Sequence, residues 1–291
     1  MTPMLTAGSF AGKTVLITGG GTGLGRSMAV MLGTLGANIV IASRKLDVID
    51  LAATEIAKES GAQVLGLGCD VRKMDEVEAM YAAAWARFGR VDVLINNAAG
   101  NFISPTEMLS HKAFDAIVDI VLKGSINCTL AIGKRWIADG KPGNVLSVVT
   151  TYAWTGTGYT VPSACGKAGV LALMRSLAVE WGPHQIRCNA VAPGPFPTEG
   201  AWSRLFPAEL LPPDIAREAS PEYRIPLGRV GEHEELANLC AYMVSDFAGY
   251  LNGECITLDG GEWLQQAGQF SWVRHIPKEL WPQIEQWIRR K

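Results

Sequence analysis

Short unbroken apolar runs alternate with longer stretches in which apolar residues recur every three or four positions, from the N-terminus onward. Thr14, Val15, Leu16, Ile17 and Thr18 form the first such run. Its lack of polar alternation predicts a strand covered on both faces. Glycines follow at Gly19, Gly23 and Gly25, and residues 26–36 then carry helical spacing. The rhythm continues with strands predicted over 38–42, 63–69 and 91–96 and helices over 48–60 and 74–88. Further strands over 143–149, 187–192 and 255–258 alternate with helices over 106–139, 162–181 and 232–245. Parallel neighbours need a crossover connection, so this alternation predicts βαβ units. The fold class is therefore α/β: a single doubly wound Rossmann domain over 1–291, with a seven-stranded parallel sheet and a core over about 10–261.

Two stretches break the rhythm. Residues 193–229 hold eight prolines and no long periodic pattern, which predicts a lid insertion over about 195–229 rather than a linker. Residues 262–291 form a C-terminal extension whose last part, 277–291, places Leu280, Trp281, Ile284, Trp287 and Ile288 on one helical face. That face is expected to pack on the chain's own body or on a neighbouring subunit.

Composition narrows the class without choosing an activity. A hydrophobic fraction of 48%, a charged fraction of 19% and 32 glycines describe a globular chain with many tight turns. The net charge of -2 offers no general attraction to nucleic acid. No apolar run is expected to span a bilayer, and residues 1–5 lack the basic and apolar segments of a signal peptide, so a cytoplasmic location is expected. The six cysteines are scattered singly and read as free thiols, and the four histidines show no metal-ligand spacing, so no metal is expected.

The first candidate chemistry is the glycine loop between the first strand and helix. Glycine lets the backbone turn sharply and approach a diphosphate, whose charge is favourable beside the free N–H groups of a helix start. Gly19, Gly21, Thr22, Gly23 and Leu24 are the candidate contacts. At the end of the second strand the chain reads Ala42-Ser43-Arg44-Lys45 and offers no carboxylate to a ribose. Ser43, Arg44 and Lys45 instead suit a 2'-phosphate, which points to NADP(H). Asp70, followed by Val71 at the end of the third strand, is placed to take the adenine amino group.

With Thr18-Gly-Gly-Gly-Thr-Gly-Leu-Gly25, Asn96-Asn-Ala-Ala-Gly100, Lys167 and Pro193-Gly194 in this order, the chain resembles the short-chain dehydrogenase/reductase family. The resemblance implies that Asn97, Ala98 and Gly100 border the cofactor and that Lys167 holds the nicotinamide ribose. It also implies that Pro193, Gly194 and Thr198 meet the carboxamide. Homo-oligomers, often tetramers, are usual in such a family.

The family's Tyr-x-x-x-Lys pair is absent, because the tyrosine position is occupied by Ser163. The usual catalytic serine position is Thr150, and the expected helix asparagine is Val121. A serine hydroxyl is far too weak an acid to replace a phenol directly. The segment from Asn96 to Thr106, the Ile41-Ala-Ser-Arg-Lys45 stretch and the Tyr152, Ser163, Lys167 spacing resemble the 2,4-dienoyl-CoA reductase branch. There the acting tyrosine stands eleven residues before the serine.

That resemblance implies NADPH-dependent reduction of an unsaturated acyl-CoA. Tyr152 and the Asn101 amide would donate to the thioester oxygen, while Lys167 would orient the ribose and ease ionisation of Tyr152. Ser163 is either part of this array or only a helix cap beside Pro162. Asn101, Phe102, Tyr152, Trp202 and Phe206 are the candidate substrate contacts. An enoyl- or 3-oxoacyl-thioester reductase and a catalytically silent NADP(H)-binding sensor are the alternatives.

Overall fold

The computed structural model describes residues 1–198 and 211–289. Seven parallel strands form one sheet in the order β3-β2-β1-β4-β5-β6-β7. They are β1 (Thr14–Thr18), β2 (Asn38–Ser43), β3 (Val64–Gly68), β4 (Val93–Asn96), β5 (Gly143–Val148), β6 (Ile186–Pro193) and β7 (Cys255–Leu258). The chain winds outward from β1 to β3, returns to pair β4 with β1, and then winds the other way. The strand order thus reverses beside β1. Ligands of open α/β sheets bind at such a switch point, outside the carboxyl ends of the strands.

Two apolar layers cover the sheet, and β1 shows why its sequence is continuous rather than alternating. Val15 and Ile17 join one layer with Met28, Met31 and Leu32, while Leu16 joins the other with Trp136, Met174 and Trp181. Successive strand residues face opposite sides, so both sides must be apolar. The first layer is formed by α1 (Gly23–Thr34), α2 (Leu46–Ser60) and a later helix, His233–Val244, and the second by α3 (Met74–Phe88) and the helices that follow β4 and β5.

The segment predicted as one helix over 106–139 is more finely divided. A 3-10 turn, Thr106–Met108, precedes α4 (His111–Val118), whose Ser110 cap accepts from the Ala113 N–H at 3.2 Å. A π-helical turn, Asp119–Lys123, then leads into α5 (Gly124–Ala138). By length and composition His111–Ala138 is apolar enough to cross a bilayer, although Lys112, Asp115, Asp119 and Lys123 interrupt its apolar run. Here Cys128, Ile132 and Trp136 lie fully or almost fully buried in the layer against the sheet, which accounts for the apolar content.

After β5 comes a one-turn helix, α6 (Tyr152–Thr155), which the sequence pattern does not predict, and then α7 (Val161–Trp181). The described part of the predicted lid holds α8 (Pro213–Ala219) and α9 (Pro221–Arg224), ahead of α10 (His233–Val244). The tail forms α11 (Glu262–Ala267) and α12 (Trp281–Arg289). Trp281, Trp287 and Ile288 on α12 are 43%, 63% and 58% exposed in the single chain, so this face is not buried on the chain's own body, the first of the two expected arrangements.

Candidate active site

The glycine loop fits closely between β1, β4 and α1. A Cβ on Gly25 would run into the Gly19 carbonyl, so α1 can approach the strand end only with glycine at this position. Gly19 has φ +66°, and a Cβ there would stand 3.0 Å from Ala98 Cα. Thr18 Oγ1 accepts from the Asn97 and Ala98 N–H groups, both at 3.1 Å. The Asn97 amide donates to the Thr18 and Gly19 carbonyls at 3.1 and 3.0 Å. Asn97 therefore ties the loop to the end of β4, and its amide hydrogens serve that purpose.

The carboxyl ends of the strands open into a cleft of about 1700 Å³. Gly19, Thr22, Gly23, Leu24, Ser43, Arg44, Asp70, Val71, Asn97, Ala98, Gly100, Lys167, Pro193, Gly194 and Thr198 line it, so most of the predicted cofactor residues share one surface. Three predicted contacts lie off that surface. Gly21 faces α2, where a Cβ would stand 2.9 Å from Ile49 Cδ1. Lys45 is the exposed residue preceding α2, with its N–H turned to Ser43 Oγ at 3.5 Å. Phe102 packs against the apolar layer beneath the cleft. Trp202 and Phe206 lie outside the described residues.

The lining fits a dinucleotide. Gly19 and Gly23 bare the backbone at the start of α1, and the exposed Arg44 stands at the end of β2 without an acid beside it in sequence. Asp70 is less free than its position implied. The Arg72 guanidinium chelates its carboxylate, with Nε at 2.9 and 3.1 Å from the two oxygens, and holds its pKa below the usual range.

Across the cleft, α6 and α7 bring the displaced tyrosine to the serine. Tyr152 Oη lies 3.0 Å from Ser163 Oγ and accepts from Asn101 Nδ2 at 3.3 Å. The Phe102 N–H donates to Asn101 Oδ1 at 2.9 Å and so turns the Asn101 amide nitrogen toward the phenol. Ser163 does not cap α7, because the helix starts at Val161 and Thr160 stands in the cap position. Its hydroxyl, 2% exposed with the rest of the residue, is given to Tyr152 instead.

The electrostatics correct one expectation. Burial pushes the Tyr152 phenol above its ordinary pKa, and the hydrogen bonds with Ser163 and Thr150 only partly oppose this. Lys167 is buried, donates to the Val148 carbonyl at 2.5 Å and is pulled down to about 8 by desolvation. It is not among the groups that lower Tyr152. Burial therefore favours the neutral phenol, against the expectation that Lys167 eases its ionisation.

Several lining residues carried no signal in the one-dimensional pattern. Arg224 and Ile225 from the lid, with Glu262 and Trp263 from α11, border the same cleft as Tyr152. His233 braces the loop after β6: Nδ1 lies 2.7 Å from Ser27 Oγ on α1, and Nε2 lies 2.7 Å from the Pro197 carbonyl. The fold alone joins these residues, since no sequence motif does.

Comparison with known proteins agrees with the geometry. The family described as enoyl-(acyl carrier protein) reductase matches residues 19–262. A probable 2,4-dienoyl-CoA reductase of Caenorhabditis elegans is 44% identical over 261 residues, 89% of this chain and 83% of the relative. One of Bacillus subtilis is 43% identical over 253 residues, 87% of this chain and 97% of the relative. Among solved structures, a short chain dehydrogenase from Bacillus anthracis superposes with a TM-score of 0.78 at 42% identity, covering 88% of this chain and 99% of its own. A glycine loop at the switch point, a buried lysine beside the cleft and relatives of nearly full length converge on one conclusion: the chain is an oxidoreductase and belongs to the short-chain dehydrogenase/reductase family.

Proposed function

We propose that the protein reduces 2,4-dienoyl-CoA thioesters with NADPH. The observation that carries this reading is the convergence of Asn101 Nδ2 and Ser163 Oγ on Tyr152 Oη, at 3.3 and 3.0 Å. The relatives named as 2,4-dienoyl-CoA reductases support it.

NADPH, when bound, supplies a hydride. The residues would then hold the charge that this addition drives through the diene onto the thioester oxygen, until the dienolate takes a proton at carbon, for which Tyr152 is the candidate donor. Tyr152, kept neutral by burial, directs its O–H at that oxygen. Asn101, which lines the cleft, has two amide hydrogens; one is given to Tyr152, which leaves the other to serve the thioester oxygen. Ser163 can rotate its hydroxyl to donate to Tyr152 Oη, which frees the phenol proton for the substrate. Donors fixed before the reaction stabilise a developing oxyanion without reorganisation, each worth about 3 kcal/mol of barrier.

Lys167 sets its ammonium against the Val148 carbonyl and lines the cleft, where it would hold the ribose of a bound cofactor by donating hydrogen bonds. Arg44 and Ser43 give the adenosine 2'-phosphate a charge-assisted partner and a hydroxyl, and so favour NADPH over NADH. The test is to follow NADPH absorbance with 2,4-hexadienoyl-CoA, crotonyl-CoA and acetoacetyl-CoA. The reading requires fastest turnover of the dienoyl substrate; preference for acetoacetyl-CoA would replace it with carbonyl reduction.

A further inference from the structure

The cleft that Tyr152 lines is also bordered by residues of the lid and of the C-terminal extension. Ala219, Pro221, Ile225, Trp263 and Ala267 supply the apolar part of that border. Arg224 and Glu262 also belong to it, but they are ion-paired with each other, and Gln266 Nε2 donates to the same Glu262 oxygen at 3.3 Å. Glu262 is 7% exposed, so Arg224 leaves no buried charge uncompensated here. A second tie, the Leu227 N–H to the Gly260 carbonyl at 3.3 Å, joins the same two segments. The Asp259 carboxylate fixes the start of α11 by accepting from the Gly261 and Trp263 N–H groups, both at 2.9 Å.

Trp263 also packs against the turn that carries Tyr152. Its ring meets Trp154 edge to face, with centroids 5.7 Å apart and planes at 88°. Trp154 stands two residues after Tyr152 on the same single turn, α6. The extension is thus in contact with the turn that carries the phenol. Apolar side chains and a self-neutralised ion pair suit a hydrocarbon chain rather than a polar group.

We propose that α11 is the end wall of the acyl channel: Trp263 limits the length of chain accepted beyond Tyr152, and Arg224 with Glu262 is a positioning pair that fixes this wall to the lid. The proposal rests on the reading of the substrate as an acyl-CoA. It assigns the extension a part in substrate selection.

The test compares wild type with Trp263→Ala, Trp263→Phe, Arg224→Ala and Arg224→Lys in the full chain. Two ratios are read: kcat/KM for 2,4-decadienoyl-CoA over 2,4-hexadienoyl-CoA with NADPH, and the binding constants of decanoyl-CoA over hexanoyl-CoA by calorimetry. A pocket that discriminates by methylenes commonly does so by about tenfold or more, so Trp263→Ala should raise both ratios in favour of the longer chain by about that factor. The kinetic change should fall on KM for the longer substrate, Trp263→Phe should stay near wild type, and Arg224→Lys should restore what Arg224→Ala relaxes. Ratios unchanged in Trp263→Ala, with dienoyl turnover present, would overturn the wall and leave the reductase reading standing. A shifted binding ratio in a protein that reduces no dienoyl-CoA would do the reverse.

Discussion

Tyr152 Oη and Ser163 Oγ lie 3.0 Å apart although eleven residues separate them, because α6 ends at a glycine turn and the chain returns to start α7 beside it. Gly156, with φ +69°, ends α6. The serine in the family's tyrosine position is therefore a partner of the displaced tyrosine. Its hydroxyl acts on Tyr152, so Ser163→Ala should lower kcat for 2,4-hexadienoyl-CoA by up to about tenfold, the worth of one hydrogen bond. Since Thr160 holds the cap position of α7, the melting temperature should change little. A large loss of stability with kcat intact would return Ser163 to a structural role.

Arg44 separates the two nicotinamide cofactors. Arg44→Ala removes the cation at the end of β2 and leaves the glycine loop untouched. KM for NADPH should rise by about tenfold or more while KM for NADH barely moves, as expected when a charge-assisted phosphate contact is lost. Equal changes for both cofactors would contradict the 2'-phosphate assignment.

Lys167 makes the stability of the ligand-free protein depend on alkaline pH. Burial lowers its pKa from 10.5 to about 8 in the folded chain. Between those values the unfolded chain holds the extra proton, so the contribution of this group to stability rises with pH across the window. Below pH 8 both states carry the proton, and the fold bears the full cost of the buried charge. Lys167→Met should accordingly raise the melting temperature most below pH 8, with the gain fading toward pH 10.5. A gain independent of pH would show that desolvation of the ammonium is not its cause.

Gly25 tests the packing that positions the cofactor loop. A Cβ there meets backbone, the Gly19 carbonyl, which cannot swing aside as a side chain would. Gly25→Ala should cost roughly 1–3 kcal/mol in urea unfolding, the usual cost of overpacking. NADPH binding should weaken in parallel, because the same loop moves. Wild-type stability with normal binding would refute the close approach.

The strands and the cofactor side of the cleft are legible in the sequence because they rest on short-range rules. An unbroken run such as Val15-Leu16-Ile17 must be covered twice, and glycines between a strand and a helix mark a close approach. What escapes is set by contacts distant in sequence. Gly21 belongs to the same loop as Gly23, yet its direction depends on Ile49 across the crossover. Lys45 follows Arg44 directly but stands off the cleft lining, before α2. The Trp154 and Trp263 pair joins residues more than a hundred positions apart, and no local pattern announces it. The electrostatic sense of Tyr152 is also hidden: the family resemblance implies that Lys167 eases ionisation of the phenol, whereas burial raises its pKa.

The central claim is that catalysis has moved with the tyrosine, and the most direct measurement is the single-turnover rate of 2,4-hexadienoyl-CoA reduction by NADPH in wild type and Tyr152→Phe. Loss of one oxyanion donor predicts a fall of about 10²- to 10³-fold, with NADPH affinity unchanged. A Tyr152→Phe enzyme that turns over at the wild-type rate would contradict the account.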